Sequence, residues 1–113
     1  MNNIIKVSDD KSEKIFNLLG LATKAGAIII GMDANVLALK DARLSLLILA
    51  SDIGDNSLKK IQVQLEKFAE NGNLVTLQIS TAERLARIVG KKKCAILGVA
   101  DENFAKGILK LLD

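Results

Sequence analysis

Residues 18–31 have the sequence LLGLATKAGAIIIG, and this stretch decides the fold class. An apolar, helix-like segment stops at Gly26, a short β-branched run follows, and Gly31 opens a second helix-like segment. The alternation continues at residues 46–52, LLILASD, where an unbroken apolar run ends at Ser51 and Asp52. Strands that alternate with helices predict a mostly parallel sheet covered on both faces. In such sheets ligands collect where strands lead into helix N-termini, so functional residues are expected at that edge.

The same alternation extends outward to both ends of the chain. The apolar spacing predicts helices at about residues 12–25, 32–42, 57–71, 81–89 and 102–112, and strands at about residues 27–30, 46–50, 74–79 and 94–99. The predicted class is therefore α/β: a three-layer α/β/α sandwich with a mostly parallel, mixed four-stranded sheet. Residues 12–113 are predicted to form a single domain, and residues 1–11 a flexible N-terminal tail.

Local signals mark the expected helix ends. Ser12 and Asp101 are predicted N-caps, and Ser80 with Glu83 has the spacing of a capping box. Glycines at positions 26, 72 and 90 are predicted to stop three of the helices.

Composition limits the possible classes of protein. Half of the 113 residues are apolar, which indicates a globular chain, and no apolar run approaches the roughly 20 residues of a membrane span. Residues 1–10 lack a signal-peptide pattern. The single cysteine, Cys94, excludes an internal disulfide, so we expect a cytoplasmic protein without a membrane partner. Cys94 lies in a strand-like run and is predicted to be a buried structural thiol, because the chain has no His to activate it.

The residues offer little for catalysis. The sequence has no His, no Cys/His metal cluster and no phosphate-binding glycine loop. Asp52, at the end of a predicted central strand, is placed like a catalytic acid but has no recognisable second group beside it. The competing interpretation is that Asp52 accepts backbone hydrogen bonds in its turn. We therefore expect no catalytic residues, no metal and no cofactor.

Charge and topology favour binding to an anion. The formal net charge is +3, and the basic clusters are Lys91-Lys92-Lys93 and Lys59-Lys60, although such runs are also typical of solvated loops. Three segments are expected to meet at one sheet edge: the Gly31 turn, residues 51–57 and residues 90–93. Helix N-termini and loop lysines suit phosphates, and Asp33 and Asn56 are short polar side chains able to reach base edges.

Aromatic content limits the mode of binding. Phe16, Phe68 and Phe104 lie at apolar positions of predicted helices, and all three are expected in the core. No aromatic side chain then remains for a base-stacking platform. Structured RNA is therefore favoured over loose single strands.

Several segments together resemble the L7Ae/L30e ribosomal-protein superfamily, and within it a small bacterial YlxQ-like branch. The segments are residues 19–26, Gly31, residues 46–52, Asn56-Ser57 with Lys59-Lys60, residues 85–90 and residues 101–105. The resemblance covers nearly the whole chain and implies an α/β/α sandwich, in agreement with the periodicity. It also implies RNA binding in the translation apparatus, typically to a kink-turn, a sharply bent duplex with tandem sheared G·A pairs.

The superfamily's RNA-binding positions are matched one by one. Gly31 matches the glycine before the second helix. The archaeal-type motif has Asn-Glu where this chain has Asp33-Ala34, and a Lys where it has Leu37. A carboxylate at position 33, which is frequent in the bacterial branch, can accept from a guanine amino group but cannot donate; Ala34 can do neither. The loop that packs on a flipped-out nucleotide corresponds to residues 89–93, which are more basic here.

Two main hypotheses follow. The first is a monomeric, non-enzymatic RNA-binding protein whose partner is kink-turn or ribosomal RNA, with the ribosome as a possible host. The second is a protein-interaction module on the same fold that has lost kink-turn recognition, for which an exposed Leu37 would be suited. The predicted RNA-binding set is Lys24, Gly31, Asp33, Ala34, Leu37, Asn56, Lys59, Lys60, Gly90, Lys91, Lys92 and Lys93.

Overall fold

The computed structural model describes residues 4–69 and 74–112. Within these ranges, five strands and five helices alternate along the chain. The strands are β1 (Ile4–Lys6), β2 (Ile28–Ile30), β3 (Leu46–Leu49), β4 (Thr76–Gln78) and β5 (Ile96–Val99). The helices are α1 (Asp9–Lys24), α2 (Met32–Lys40), α3 (Asp55–Phe68), α4 (Ala82–Val89) and α5 (Glu102–Lys110).

The strands form one mixed sheet in the order β1-β4-β3-β5-β2. Strands β1, β4 and β3 are parallel neighbours, whereas β5 is antiparallel to both β3 and β2. Leu47 of β3 lies opposite Thr76 on one side and Gly98 on the other, which fixes the register across the centre of the sheet. The predicted mixed sheet is confirmed, and β5 is its reversed strand.

Helices cover both faces of this sheet. All four residues of β3 are fully buried, as its unbroken apolar sequence predicts. Leu47 and Leu49 pack against the face that carries α2 and α3, through Leu39, Ile61 and Leu65. The alternate residues of β3, Leu46 and Ile48, pack on the other face with side chains from α1, α4 and α5. The α/β fold follows from this burial on both faces, because each helix contributes one apolar stripe to a layer.

The predicted count of four strands is wrong, and so is the tail assignment for residues 4–6 and 9–11, while residues 1–3 lie outside the described residues. Residues 4–6, assigned to a flexible tail, form β1 and pair with β4, so the sheet has five strands in the described residues. Helix α1 begins at Asp9, and Ser12 lies in its first turn, where its Oγ donates to the Ser8 carbonyl oxygen at 3.1 Å. A three-residue strand is too short to leave a periodic signal, and the exposed edge of β4 supplies its backbone partners.

The other helix ends fall close to prediction. Asp101 caps α5: its Oδ1 accepts from the backbone N–H groups of Asn103 and Phe104, at 2.8 and 3.1 Å. Gly90 ends α4 in the left-handed conformation, with φ 71°. The capping box is shifted by one residue, since Thr81 Oγ1 accepts from Arg84 N–H at 3.2 Å while Ser80 adopts φ 57°. Glu83 instead forms an ion pair with Arg87 at 2.8 Å.

Helix α3 differs from the prediction at both ends. It begins at Asp55 rather than Ser57, and its described part ends at Phe68. The predicted helix end at Asn71 and the stop at Gly72 lie outside the described residues. Phe16 is buried as predicted, but Phe68 is 37% exposed with Lys40 Nζ 5.4 Å above its ring, so its assignment to the core is wrong. A ring at the surface can interact with a cation above its face, and the Lys40 ammonium group lies within the distance of such a cation–π contact.

We predict that Thr81→Ala destabilises the protein by about 1 kcal/mol, since it removes the hydroxyl that caps α4. Urea unfolding monitored by circular dichroism measures this change. The matched variant Ser80→Gly should be neutral or stabilising, because glycine adopts a positive φ without strain. Greater destabilisation by Ser80→Gly than by Thr81→Ala would contradict this assignment of the cap.

Candidate functional site

One edge of the sheet gathers most of the predicted site residues. Strands β2, β3 and β4 end at this edge, and the reversed strand β5 begins there. We call it the upper edge: the Gly31 turn, the loop at residues 50–54 with the first turn of α3, and the loop at residues 90–95. Backbone hydrogen bonds link the three segments, from Gly31 N–H to the Ile96 carbonyl at 3.0 Å and from Ala50 N–H to the Ala95 carbonyl at 2.9 Å. The residues at the start of β5 therefore lie between the Gly31 turn and the loop at residues 50–54.

The Gly31 turn leads β2 into α2. Gly31 adopts φ 96° and ψ 167°, a conformation that is essentially restricted to glycine. Its N–H is held by β5, and its carbonyl oxygen accepts from Asn35 N–H at 3.2 Å in the first turn of α2. Asp33 and Ala34 follow at the exposed N-terminal end of this helix, where free N–H groups favour an anion.

A second helix N-terminus lies beside the first, because α2 and α3 pack side by side on the same face. Gly54 precedes α3, and Asn56 lies in its exposed first turn. Lys59 and Lys60 are exposed one turn further on. Both helices thus direct their N-termini toward the upper edge.

The loop before β5 brings three lysines to this edge. Gly90 ends α4 with a positive φ, and the N–H of Lys91 donates to the Ala86 carbonyl at 2.9 Å, which closes the helix in the manner of a Schellman motif. Cys94 at the other end of the loop is 3% exposed. Lys91, Lys92 and Lys93 are therefore exposed side chains on a loop that is fixed at both ends.

The lysines of the upper edge are free to meet an external anion. In residues 4–69 and 74–112, no carboxylate lies within 4.0 Å of the ammonium groups at positions 59, 60, 91, 92 or 93, whereas four other basic residues are in ion pairs. Asp52, which lies in the loop at residues 50–54, accepts at Oδ1 from Ala82 N–H at 2.8 Å. This supports the interpretation of Asp52 as a hydrogen-bond acceptor. The donor, however, is the first residue of α4 and not a residue of the turn that contains Asp52.

Leu37 lies on the outer face of α2 and is 55% exposed. It borders a groove of about 380 Å³ between α2 and α3, together with Met32, Val36, Lys60 and Gln64. Asp33 and Lys40 complete the lining of the groove. The lining of the groove therefore combines three apolar side chains with three charged ones and Gln64.

Lys24 does not join the other site residues. It occupies the last position of α1, a helix that begins after β1 at the upper edge and spans 16 residues, or about 24 Å. The following residues enter β2 from the opposite edge, where the Ala27 carbonyl accepts from Ala100 N–H at 2.8 Å. Of the 12 predicted positions, Lys24 is therefore the one at the far edge of the sheet.

The described residues hold little catalytic chemistry. No group of three or more His, Cys, Asp or Glu side chains in the described ranges could hold a metal ion. Burial raises the pKa of the Cys94 thiol, whose Sγ donates to the Ile96 carbonyl at 3.6 Å, and a raised pKa suppresses the reactive thiolate. The predicted buried thiol is confirmed.

None of the helices in residues 4–69 and 74–112 has the length and apolar character that crossing a bilayer requires.

Sequence reasoning missed Asn35. This side chain is fully buried, and its Nδ2 donates to the Ile29 and Gly31 carbonyl oxygens at 3.0 and 2.7 Å. Its Oδ1 has no hydrogen-bond partner among the described residues. The sequence did contain a signal for a buried polar residue. Asn35 lies one turn after Gly31, on the same helix face as the apolar residues Ala38 and Leu39.

The sequence and the fold of this chain are similar to those of known proteins. The sequence profile of the Ribosomal protein L7Ae/L30e/S12e/Gadd45 family matches residues 13–109. The chain belongs to this family. Among its relatives are two bacterial proteins called RNA-binding protein YlxQ. The one from Bacillus subtilis (strain 168) is 29% identical over 87% of this chain and 94% of its own length, and the one from Enterococcus faecium is 22% identical over 95% and 99%.

Solved structures share the fold of this family member. A protein of unknown function from Bacillus halodurans superposes with a TM-score of 0.78 at 28% identity, over 88% of this chain and 97% of that one. The Giardia lamblia 15.5kD RNA binding protein superposes with a TM-score of 0.74 at 17% identity, over 92% and 88%. At 17% identity the second likeness shows the fold alone.

We predict that Gly31→Ala destabilises the protein by about 1–3 kcal/mol, because a Cβ cannot adopt φ 96° and ψ 167° without strain. Gly54→Ala is the matched control: Gly54 also precedes a helix but adopts φ −64°, so its cost should stay below about 1 kcal/mol. Denaturant unfolding of both variants measures the difference. Equal destabilisation by the two changes would show that the Gly31 turn is not constrained in this way.

Proposed function

We propose that this protein is a non-enzymatic RNA-binding protein of the translation apparatus, and that the upper edge is its RNA interface. The observation that carries the proposal is the convergence there of two helix N-termini with five exposed lysines that have no carboxylate partner in the described residues. Family membership and the names of the bacterial relatives support RNA as the ligand.

Phosphate contacts are the main attraction in this proposal. Lys59, Lys60 and residues 91–93 neutralise backbone phosphates and release their counterions. The N–H groups that begin α2 and α3 add directional donors, and the positive ends of the two helix dipoles act in the same sense. Phosphate contacts fix position, whereas base contacts carry the sequence information.

In this proposal, side chains at the N-termini of α2 and α3 recognise the bases. The Asp33 carboxylate can accept from a guanine amino group, and Asn56 can both accept and donate. The exposed aromatic side chain of the described residues, Phe68, lies at the far end of α3, so the upper edge has no stacking platform. We therefore propose a structured RNA, recognised by shape and backbone, with a kink-turn or a ribosomal RNA element as the target.

A second candidate function is supported by the groove between α2 and α3. Met32, Val36 and the exposed Leu37 are apolar side chains in its lining, and they suit a protein partner better than phosphates. Under this alternative the fold serves as a protein-interaction module. Measurements of RNA binding distinguish the two functions, because only the first requires that the protein bind RNA.

We predict tight binding to a kink-turn RNA and weaker binding to a matched RNA without the G·A pairs, because Asp33 and backbone groups would read the sheared guanines. Gel shifts at two salt concentrations measure both affinities. Equal, weak affinities that fade with salt would contradict kink-turn recognition and leave a basic surface without base readout. Failure to bind either RNA or ribosomal RNA fragments would contradict RNA binding itself and favour the protein-interaction function.

We predict that changing Lys91, Lys92 and Lys93 to Ala weakens RNA binding by at least about tenfold and lowers the slope of log affinity against log salt by about one per lost phosphate contact. The control replaces Lys24, Lys40 and Lys67, which lie at the other ends of their helices, with the same change in net charge. The control should leave the slope nearly unchanged. Equal slopes for the two triple variants would exclude a local role of residues 91–93.

A further inference from the structure

The Asn35 side chain holds the Gly31 turn from inside the protein. Its amide nitrogen donates to two carbonyl oxygens, one at the centre of β2 (Ile29, 3.0 Å) and one at the turn itself (Gly31, 2.7 Å). The backbone N–H of Asn35 also donates to the Gly31 carbonyl, at 3.2 Å. A single buried residue thus joins the end of the edge strand to the first turn of α2.

Space for this amide exists because Gly98 has no side chain. Gly98 lies on β5 directly opposite Ile29, and it also pairs with Leu47 of the central strand. A Cβ on Gly98 would overlap Asn35 Oδ1 and would lie 2.6 Å from Leu44 Cδ2. Asn35 and Gly98 therefore form a complementary pair between α2 and the sheet.

Packing alone does not account for an asparagine at this position. Its Oδ1 has no hydrogen-bond partner within residues 4–69 and 74–112, so the side chain is buried at a cost that an apolar residue of similar volume would avoid. What the asparagine provides is the pair of N–H bonds that hold a turn in a strained, glycine-only conformation. That turn presents Asp33 and the free N–H groups of α2 at the upper edge.

We propose that Asn35 is a positioning residue for RNA recognition: its amide fixes the Gly31 turn, and Gly98 provides the space for that amide. Asn35 is fully buried and so does not touch the ligand. Its effect passes through the orientation of the α2 N-terminus. This inference rests on the proposed function of the upper edge.

The first test compares Asn35→Val with Asn35→Thr. The two side chains have nearly the same shape and volume, but only the Thr hydroxyl can donate to the carbonyl four residues earlier, that of Gly31. At a temperature where both variants are fully folded, Asn35→Thr should bind RNA about fivefold more tightly than Asn35→Val, the factor expected for one hydrogen bond. Both should retain the wild-type salt slope, because the lysines are unchanged.

Equal RNA affinity of the Val and Thr variants would overturn the proposal, whether both match the wild type or both fall below it. If neither variant folds, the smaller pair Asn35→Ala and Asn35→Ser provides the same comparison of a side chain without and with a hydroxyl.

The second test uses Gly98. Gly98→Ala should weaken RNA binding about as much as Asn35→Val, because the added methyl displaces the amide. The double variant Gly98→Ala with Asn35→Ala should recover part of the stability, since the overlap with the amide is removed while the close contact with Leu44 stays, but it should not recover affinity. Recovery of wild-type affinity by the double variant would overturn the proposal, because the amide would then be dispensable.

A third measurement separates failure of this inference from failure of the proposed function. If the wild-type protein binds no RNA, the proposed function is wrong, and backbone amide hydrogen exchange still tests the positioning role. Exchange of the backbone N–H groups at positions 31 and 35 should be faster in Asn35→Val than in Asn35→Thr. Exchange of the Leu47 N–H group in the central strand should be the same in both variants. Equal exchange at Gly31 in the two variants would overturn the positioning role itself.

Discussion

The reversed strand β5 is the constraint on which the arrangement of the upper edge depends. It lies between β3 and β2 and runs against both, so its first residues lie where its neighbours end. The loop of residues 90–93 thereby reaches the same edge as the Gly31 turn and the loop before α3. If β5 were parallel to its neighbours, these lysines would enter the sheet from the opposite edge. The positive charge of residues 91–93 would then be separated from both helix N-termini.

Rigid backbone supports a charged surface at this edge. Gly31 and Gly90 each adopt a positive φ, and each is held by backbone hydrogen bonds to a neighbouring element or helix. The loops are therefore ordered before any ligand arrives, which reduces the ordering cost of binding. The lysine side chains themselves extend into solvent without carboxylate partners among the described residues, so their charges are available to an anion. Loops with a fixed backbone and lysine charges that are available to an anion are suited to binding a structured polyanion.

Elements that are buried in the core leave a periodic pattern of apolar residues, so much of the fold could be predicted from the sequence. The unbroken apolar run at residues 46–49 predicted a central strand, and it is fully buried. Asp101 and Gly90 marked helix ends through local chemistry that needs no tertiary context. The Gly31 turn and residues 51–57 each follow a strand, so the predicted alternation already places them at one edge of the sheet. Residues 90–93 precede a strand, and they reach the same edge because β5 is reversed, which alternation alone does not predict.

The features that sequence reasoning missed depend on contacts between distant residues. Strand β1 exists because β4 offers it a partner, and three residues alone carry no period. The capping of α4 shifted by one residue because Ser80 adopts a positive φ, where its carbonyl accepts from Ser51 N–H at 2.6 Å. Lys24 belonged to a matching segment, yet the length of α1 places it at the far edge. The role that we propose for Asn35 depends on Gly98, which is 63 residues away in sequence.

The central claim is that the upper edge of the sheet contacts RNA. Backbone amide chemical shifts of the isotope-labelled protein, titrated with a kink-turn RNA, test it most directly. We expect the largest shifts at residues 31–37, 51–60 and 90–95, while Lys24, Lys40 and Ala100 at the opposite edge stay nearly unchanged. Shifts centred on the opposite edge, or spread evenly over the surface, would contradict it.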